Sequence, residues 1–315
     1  MRRCHLGRTG IEVSAVGFGA SPLGAVFGTF AEADGIEAVR AALDAGITFF
    51  DVSPYYGATL AETVLGKALR GIDRSRYVLA TKVGRYGDDE FDFSAERVGR
   101  SVRESLKRLG TDHLDLVQCH DIEFGDLGQI AEETIPALRT LQDAGLVRAV
   151  GVTGYTLPAL AEVTARGRVD TVLSYCQYTL QDRRLDAWRQ FFSASGAAVI
   201  NAAPLAMGAL TAQGPAPWHP APAPVLAACA AAAGLCTSRG ADIAKIAFQF
   251  SAATGGFAST VVGAARAEEV RRNVRWLDEP IDEDLLHDIE QCLAPVRDLG
   301  WISGRPENQH PGVRR

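Results

Sequence analysis

The chain has 315 residues, 47% of them hydrophobic and 22% charged, with a formal net charge of −6. That length supports one large domain or two smaller ones with a sizeable core, and an acidic balance without a long basic run argues against a nucleic-acid partner. No apolar stretch approaches the ~20 residues that span a bilayer, and no apolar segment follows the basic start MRRCHLGRTG, so neither a membrane span nor a secretory signal is expected.

In chain order, the first apolar run is SAVGFG, residues 14–19. Its sequel GFGASPLG is not G-x-G-x-x-G, so it carries no Rossmann fingerprint. Gly17 and Gly19 read instead as a strand end that a ligand approaches closely. Ile36, Val39 and Leu43 then recur at helical spacing and stop at Gly46. The run ITFF follows, ends at Asp51, and leads to Tyr56 on the loop beyond. YVLATKV, residues 77–83, carries Lys82 near its end. A second helical stripe, Val98, Val102, Leu106 and Leu109, stops at Gly110 and gives way to LDLVQC and His120. A third, Ile135, Leu138 and Leu141, stops at Gly145 before VRAVGV. TVLSY, AAVIN and STVVG complete the strand candidates.

Continuous apolar runs of this length suit parallel strands covered on both faces. Eight of them alternating with helices in one chain predict an α/β fold, a (β/α)8 TIM barrel forming a single domain over residues 1–315. A doubly wound sheet is the alternative. Residues 204–224 are rich in Pro and Gly and predict a long ordered loop over the barrel mouth. The polar tail, about 303–315, reads as loose. The cysteines, Cys4, Cys119, Cys176, Cys229, Cys236 and Cys292, include no C-x-x-C pair and read as reduced thiols in a cytoplasmic protein. The histidines show no ligand spacing, so no metal is expected.

Catalytic groups of a TIM barrel sit at the C-terminal ends of different strands. Asp51, Lys82 and His120 end successive runs, and Tyr56 follows the second. Singly they read as a turn acid, a solvated lysine, a structural histidine and a packing tyrosine. Together they place an acid, a cation, an imidazole and a phenol on one rim.

In that order and spacing, Asp51, Tyr56, Lys82 and His120 resemble the tetrad of the aldo-keto reductases, and the resemblance runs from GFGAS at 17–21 to GAARAEEVRRNV at 263–274. CHDIEFG, SYCQYTL and PLAMGALTAQGPAPWHPAP are similar to the branch of L-galactose, L-fucose (D-threo-aldose) and pyridoxal dehydrogenases. The resemblance implies a barrel that binds NAD or NADP, with Tyr56 accepting a proton as an aldose is oxidised at C1 to a lactone. It implies cofactor contacts from Gly19, Thr153, Tyr175, Pro204, Leu205, Gly208, Gly263, Ala264, Glu269 and Asn273. Thr153–Gly154 departs from the family's Ser/Thr–Asn pair, and Tyr175 and Ala202 stand where a Gln and a stacking Tyr are usual. Glu269 stands where NADP-using members often carry Arg, which implies NAD. For the sugar, Asp121 and Glu123 suit acceptance of hydroxyl protons, and Trp218 and His219 lie on the long loop. The other readings are an NADPH-dependent reductase of small aldehydes or ketones, a pyridoxal dehydrogenase, and a redox-sensing regulatory subunit. A small-molecule sugar is the expected partner, with the chain a monomer or homodimer.

Overall fold

Each apolar run becomes a strand in the computed structural model, which describes residues 1–253 and 255–309. The strands are β1 (Val16–Gly19), β2 (Phe49–Asp51), β3 (Val78–Val83), β4 (Leu114–Cys119), β5 (Val147–Gly154), β6 (Thr171–Tyr175), β7 (Ala198–Ala202) and β8 (Ser259–Gly263). All neighbours pair in parallel, and β8 pairs with both β7 and β1, so the sheet closes into a barrel. Closure excludes the doubly wound alternative.

The helices between strands are α1 (Glu32–Asp44), α2 (Leu60–Leu69), α3 (Ala95–Leu109), α4 (Ile135–Asp143), α5 (Leu157–Gly167) and α6 (Arg184–Ala194). Two helices, α7 (Ala223–Ser238) and α8 (Ile243–Ala253), separate β7 from β8, and α9 (Ala267–Asp278) and α10 (Glu283–Leu293) follow β8. The helical stripes read from the sequence face the strands. Val39, Val98, Val102, Ile135 and Leu138 are buried in the layer between sheet and helices, while Ile36 and Leu106 sit half-buried at its edge. Burying such a side chain contributes roughly 1.5–3 kcal/mol. Gly110 takes a left-handed φ of 67° and caps α3, as its position after the stripe predicts.

An element absent from the sequence reading closes the barrel floor. Strands Arg3–His5 and Glu12–Ser14 form an antiparallel hairpin. Its Leu6, Ile11 and Val13 pack under Phe49, Val78 and Leu116 inside the barrel. With the floor filled, the C-terminal rim of the strands is where a ligand enters. The loop after β7 contains one 3-10 turn, Ala206–Gly208, and ends slightly earlier than expected because α7 already begins at Ala223. The tail differs from expectation through residue 309. Asn308 is buried and donates to the carbonyls of Glu123 and Gly125, so this segment is docked over the rim. Residues 310–315 of the expected tail lie outside the described residues.

Candidate active site

Three adjacent strands and one turn assemble the predicted tetrad. Asp51 ends β2, Lys82 lies within β3 and His120 directly follows β4, its N–H held by Val83 O at 2.8 Å. Tyr56 sits on the tight turn after β2. The next residue, Gly57, takes φ of 61°, and a Cβ there would lie 2.3 Å from Gly24 O, so the turn that aims Tyr56 admits only glycine at 57.

The Lys82 ammonium has three donors, and all three are used. Nζ donates to Asp51 Oδ2 at 2.6 Å, to Val52 O at 3.0 Å and to the Tyr56 hydroxyl at 3.2 Å. Asp51 Oδ1 accepts in turn from Gln118 Nε2 at 3.0 Å. Burial disfavours the Lys82 charge, but Asp51 and Tyr56 reverse that, and the lysine pKa lies above its ordinary value.

At Tyr56 burial and the Lys82 cation act on the phenol pKa in opposite directions. Burial raises that pKa, and Lys82 offsets the rise only in part. The resting phenol therefore keeps its proton at neutral pH, and Lys82 limits the cost of losing it.

His120 is neutral. Burial foremost, with Lys82 and Arg85 adding to it, holds its pKa well below the ordinary histidine value. Its Nδ1 is 3.0 Å from Ser53 Oγ, which already accepts the Tyr55 N–H at 3.1 Å. Ser53 thus has its own O–H free to donate to Nδ1, which assigns the proton to Nε2 and leaves Nε2–H as a donor for a substrate oxygen. The Tyr56 and His120 rings meet edge to face at 5.7 Å, so the phenol and the imidazole flank one point on the rim.

This arrangement has a pH signature. A base at Tyr56 would have to lose its proton first, and His120 does not titrate near neutrality. For oxidation, kcat/KM should rise by up to about tenfold per unit from about pH 6 to about pH 9, without an inflection near the ordinary histidine pKa. A profile flat above pH 7 would contradict the assignment.

Residues 15–294 match the Aldo/keto reductase family. The chain belongs to the aldo/keto reductase family. It is 48% identical over 312 residues to the L-galactose dehydrogenase of Arabidopsis thaliana, a match covering 96% of this chain and 98% of that protein. It is 28% identical to the D-threo-aldose 1-dehydrogenase of a Pseudomonas species, covering 85% of this chain and 90% of the other. Among solved structures it is similar to the holo form of an aldo-keto reductase from Bacillus halodurans, with a TM-score of 0.76, 26% identity, and coverage of 98% and 99% of the two chains.

As an aldo/keto reductase the chain is expected to take a nicotinamide dinucleotide, and the residues present fit one. Thr153 lies one residue before the end of β5, Tyr175 ends β6, Gly263 ends β8 with Ala264 next to it, and Tyr175 is only half-buried. Pro204, Leu205 and Gly208 lie on a loop in which Ala203, Ala206, Met207 and Gly208 all take positive φ. Successive left-handed residues turn backbone N–H groups toward a common concavity, which suits a pyrophosphate. Asn273 lies on the buried face of α9. Gly19 is also crowded from within the barrel. A Cβ there would meet Val261 Cγ1 at 3.1 Å and Gly263 N at 3.3 Å, so the neighbouring strand β8 crowds the position.

Two expected sugar contacts are corrected. Glu123 is fully buried and faces the docked C-terminal segment. Its Oε1 accepts from Tyr155 N at 2.8 Å and Ser303 Oγ at 3.0 Å, and its backbone oxygen accepts from Arg305 N and Asn308 Nδ2. Burial, with Asp121 adding to it, raises its pKa to about 8. Its side chain also accounts for Gly154, since a Cβ at that position would lie 2.2 Å from Glu123 Oε2. His219 is committed within its own loop. Its Nδ1 accepts from Ala221 N at 3.2 Å, so Nε2–H donates to Ala206 O at 3.0 Å. Trp218 is half-exposed and packs on Phe27 with ring centroids 5.6 Å apart, at the edge of the mouth.

Asp121 does lie at the site, with Oδ2 3.6 Å from His120 Nε2. Sequence reasoning missed its partner, Arg85, whose guanidinium binds Asp121 Oδ2 at 2.6 Å. It also missed Ser53 and Gln118. Gln118 was within reach, because it precedes His120 by two residues and shares the inward face of β4.

Proposed function

We propose that this aldo/keto reductase oxidises a free aldose of the L-galactose or L-fucose type at C1 to its lactone, with NAD as the preferred cofactor. The observation that carries the reading is similarity along nearly the whole chain to an L-galactose dehydrogenase. The site chemistry supports it. His120 Nε2–H donates to the C1 oxygen and orients C1. Tyr56 accepts the hydroxyl proton, and its developing charge falls on Lys82 Nζ, 3.2 Å away. Asp51 keeps that lysine charged and in place, and Gln118 holds Asp51. A bound nicotinamide supplies the hydride acceptor. Six free cysteines support a reducing, cytoplasmic setting.

The cofactor preference rests on Glu269. Its Oε2 accepts from the N–H groups of Ala265 at 2.8 Å and Arg266 at 3.2 Å. Those donors, at the start of α9, would otherwise greet an anion. With a carboxylate already seated on them, a ribose 2′-phosphate meets a like charge, whereas a free 2′-hydroxyl meets an acceptor. Among neutral aldoses, L-galactose and L-fucose should be oxidised with NAD+ at higher kcat/KM than with NADP+, followed by reduced nicotinamide absorbance. Glu269→Arg should shift the ratio toward NADP+ by about tenfold or more. Glu269→Gln, which keeps a capping acceptor without the charge, should fall between. A higher wild-type kcat/KM with NADP+ would end the cofactor reading, and no turnover with any aldose would end the functional one.

A further inference from the structure

Arg85 lies three residues beyond Lys82, on the loop that follows β3, and the tetrad does not use it. Its guanidinium stacks on the Tyr55 ring at 3.8 Å, and that ring meets His120 edge to face at 5.9 Å. The cation is held from several sides. Nη1 donates to Asp121 Oδ2 at 2.6 Å, Nη2 donates to the Tyr55 hydroxyl at 3.0 Å and Nε donates to Gly87 O at 3.4 Å. The Tyr55 hydroxyl itself donates to Asp88 Oδ1 at 2.9 Å. A guanidinium has five N–H donors, and these bonds leave two of them without a protein acceptor. Arg85 is about one-sixth exposed, so it reaches the mouth, while Asp121 beneath it is almost wholly buried.

Charge at the mouth is therefore matched pair by pair. Lys82 is spent on Asp51, His120 is neutral, and Arg85 is spent on Asp121. Burial raises the pKa of both neighbouring acids, that of Glu123 to about 8, and at Asp121 the Arg85 guanidinium 2.6 Å away opposes the rise and favours the carboxylate. Asp121 Oδ1 is buried without a hydrogen-bond partner, a cost the fold carries next to the catalytic histidine.

We propose that Arg85, masked by Asp121, is a specificity-determining residue: its two spare N–H groups bind hydroxyl oxygens of the sugar, and the masking carboxylate rejects acidic sugars. The proposal rests on the reading of the protein as an aldose 1-dehydrogenase. An unmasked arginine would bind a carboxylate or phosphate in a bidentate pair. With its charge cancelled by a buried acid, it remains a rigid fork of neutral-seeking donors, and an anionic substrate gains no attraction from it. A neutral polyol has no such handicap.

The test compares L-galactose with its C6 acid, L-galacturonate, in the wild type, Asp121→Asn and Arg85→Gln. The wild type should favour the neutral sugar by about a hundredfold in kcat/KM. Asp121→Asn keeps the shape and tolerates the left-handed φ of 50° at this position. It should lower the preference by about tenfold or more, mainly through KM for the acid. Arg85→Gln should raise KM for L-galactose by about tenfold with kcat less affected, and should not lower the preference. If Asp121→Asn does not fold, the Arg85→Gln result decides alone. Equal use of both sugars by the wild type, an unchanged preference in Asp121→Asn, or an unchanged KM in Arg85→Gln would overturn the proposal. Oxidation of no neutral aldose would instead overturn the functional reading beneath it.

Discussion

Tyr56→Phe should lower kcat/KM for aldose oxidation by about 10²–10⁴-fold, the range expected when a positioned acid–base group is removed. The substitution deletes one oxygen and keeps the ring that packs on His120. Lys82 loses one of its three acceptors but retains Asp51 and Val52 O, so the buried cation keeps its counter-charge and the fold is preserved. The loss should therefore appear in turnover, while the dissociation constant of reduced nicotinamide, read by fluorescence, and the melting temperature stay close to wild type. Activity within about tenfold of wild type would remove Tyr56 from the proton-transfer role.

Lys82→Met should be equally inactive and, unlike Tyr56→Phe, unstable. Asp51 and Lys82 are almost wholly buried and 2.6 Å apart. Removing the cation strands a carboxylate whose remaining side-chain donor is Gln118, and breaking a buried pair in this way costs about 3–5 kcal/mol. Urea unfolding measures that loss. Adding Asp51→Asn to Lys82→Met removes the stranded charge and should restore much of the stability while leaving the enzyme inactive, because the phenolate still lacks its counter-charge. Wild-type stability in the single variant, or recovered turnover in the double, would contradict the roles assigned to the pair.

The barrel was legible because its strands are buried on both faces, so each reads as an unbroken apolar run. LDLVQC, TVLSY and STVVG match β4, β6 and β8 residue for residue. The floor hairpin was not legible. Its strands have three residues each, too few for a periodic signal, and they are fixed by packing under Phe49 and Leu116. The tetrad was legible because strand ends carry chemistry in this architecture, and four unlike polar groups ended successive apolar runs.

Around the tetrad, sequence position misled wherever a side chain answers to a distant partner. Glu123 follows His120 closely enough to look like a sugar contact. The 3-10 turn Ile122–Phe124 instead buries it against Ser303, 180 residues away. His219 reads as a loop histidine over the mouth, yet both ring nitrogens hold the loop's own backbone. Arg85 ends no apolar run and carries no signal in the sequence, and only the fold reveals Asp121, 36 residues on, as its partner. Glu269 was expected, from the family resemblance, to bear on cofactor choice. The structure adds that its carboxylate is seated on the first N–H groups at α9.

The central claim is chemical, that this site removes a hydride from C1 of a free aldose and the adjacent hydroxyl proton passes to Tyr56. It is tested most directly by incubating the enzyme with L-galactose labelled with ¹³C at C1 and NAD+, and following the labelled carbon by NMR. The account predicts that the anomeric signals give way to a lactone carbonyl signal, in step with reduced nicotinamide, and that Tyr56→Phe leaves the anomeric signals standing. Reduced nicotinamide formed while C1 stays anomeric would place the oxidation elsewhere on the sugar and contradict the account.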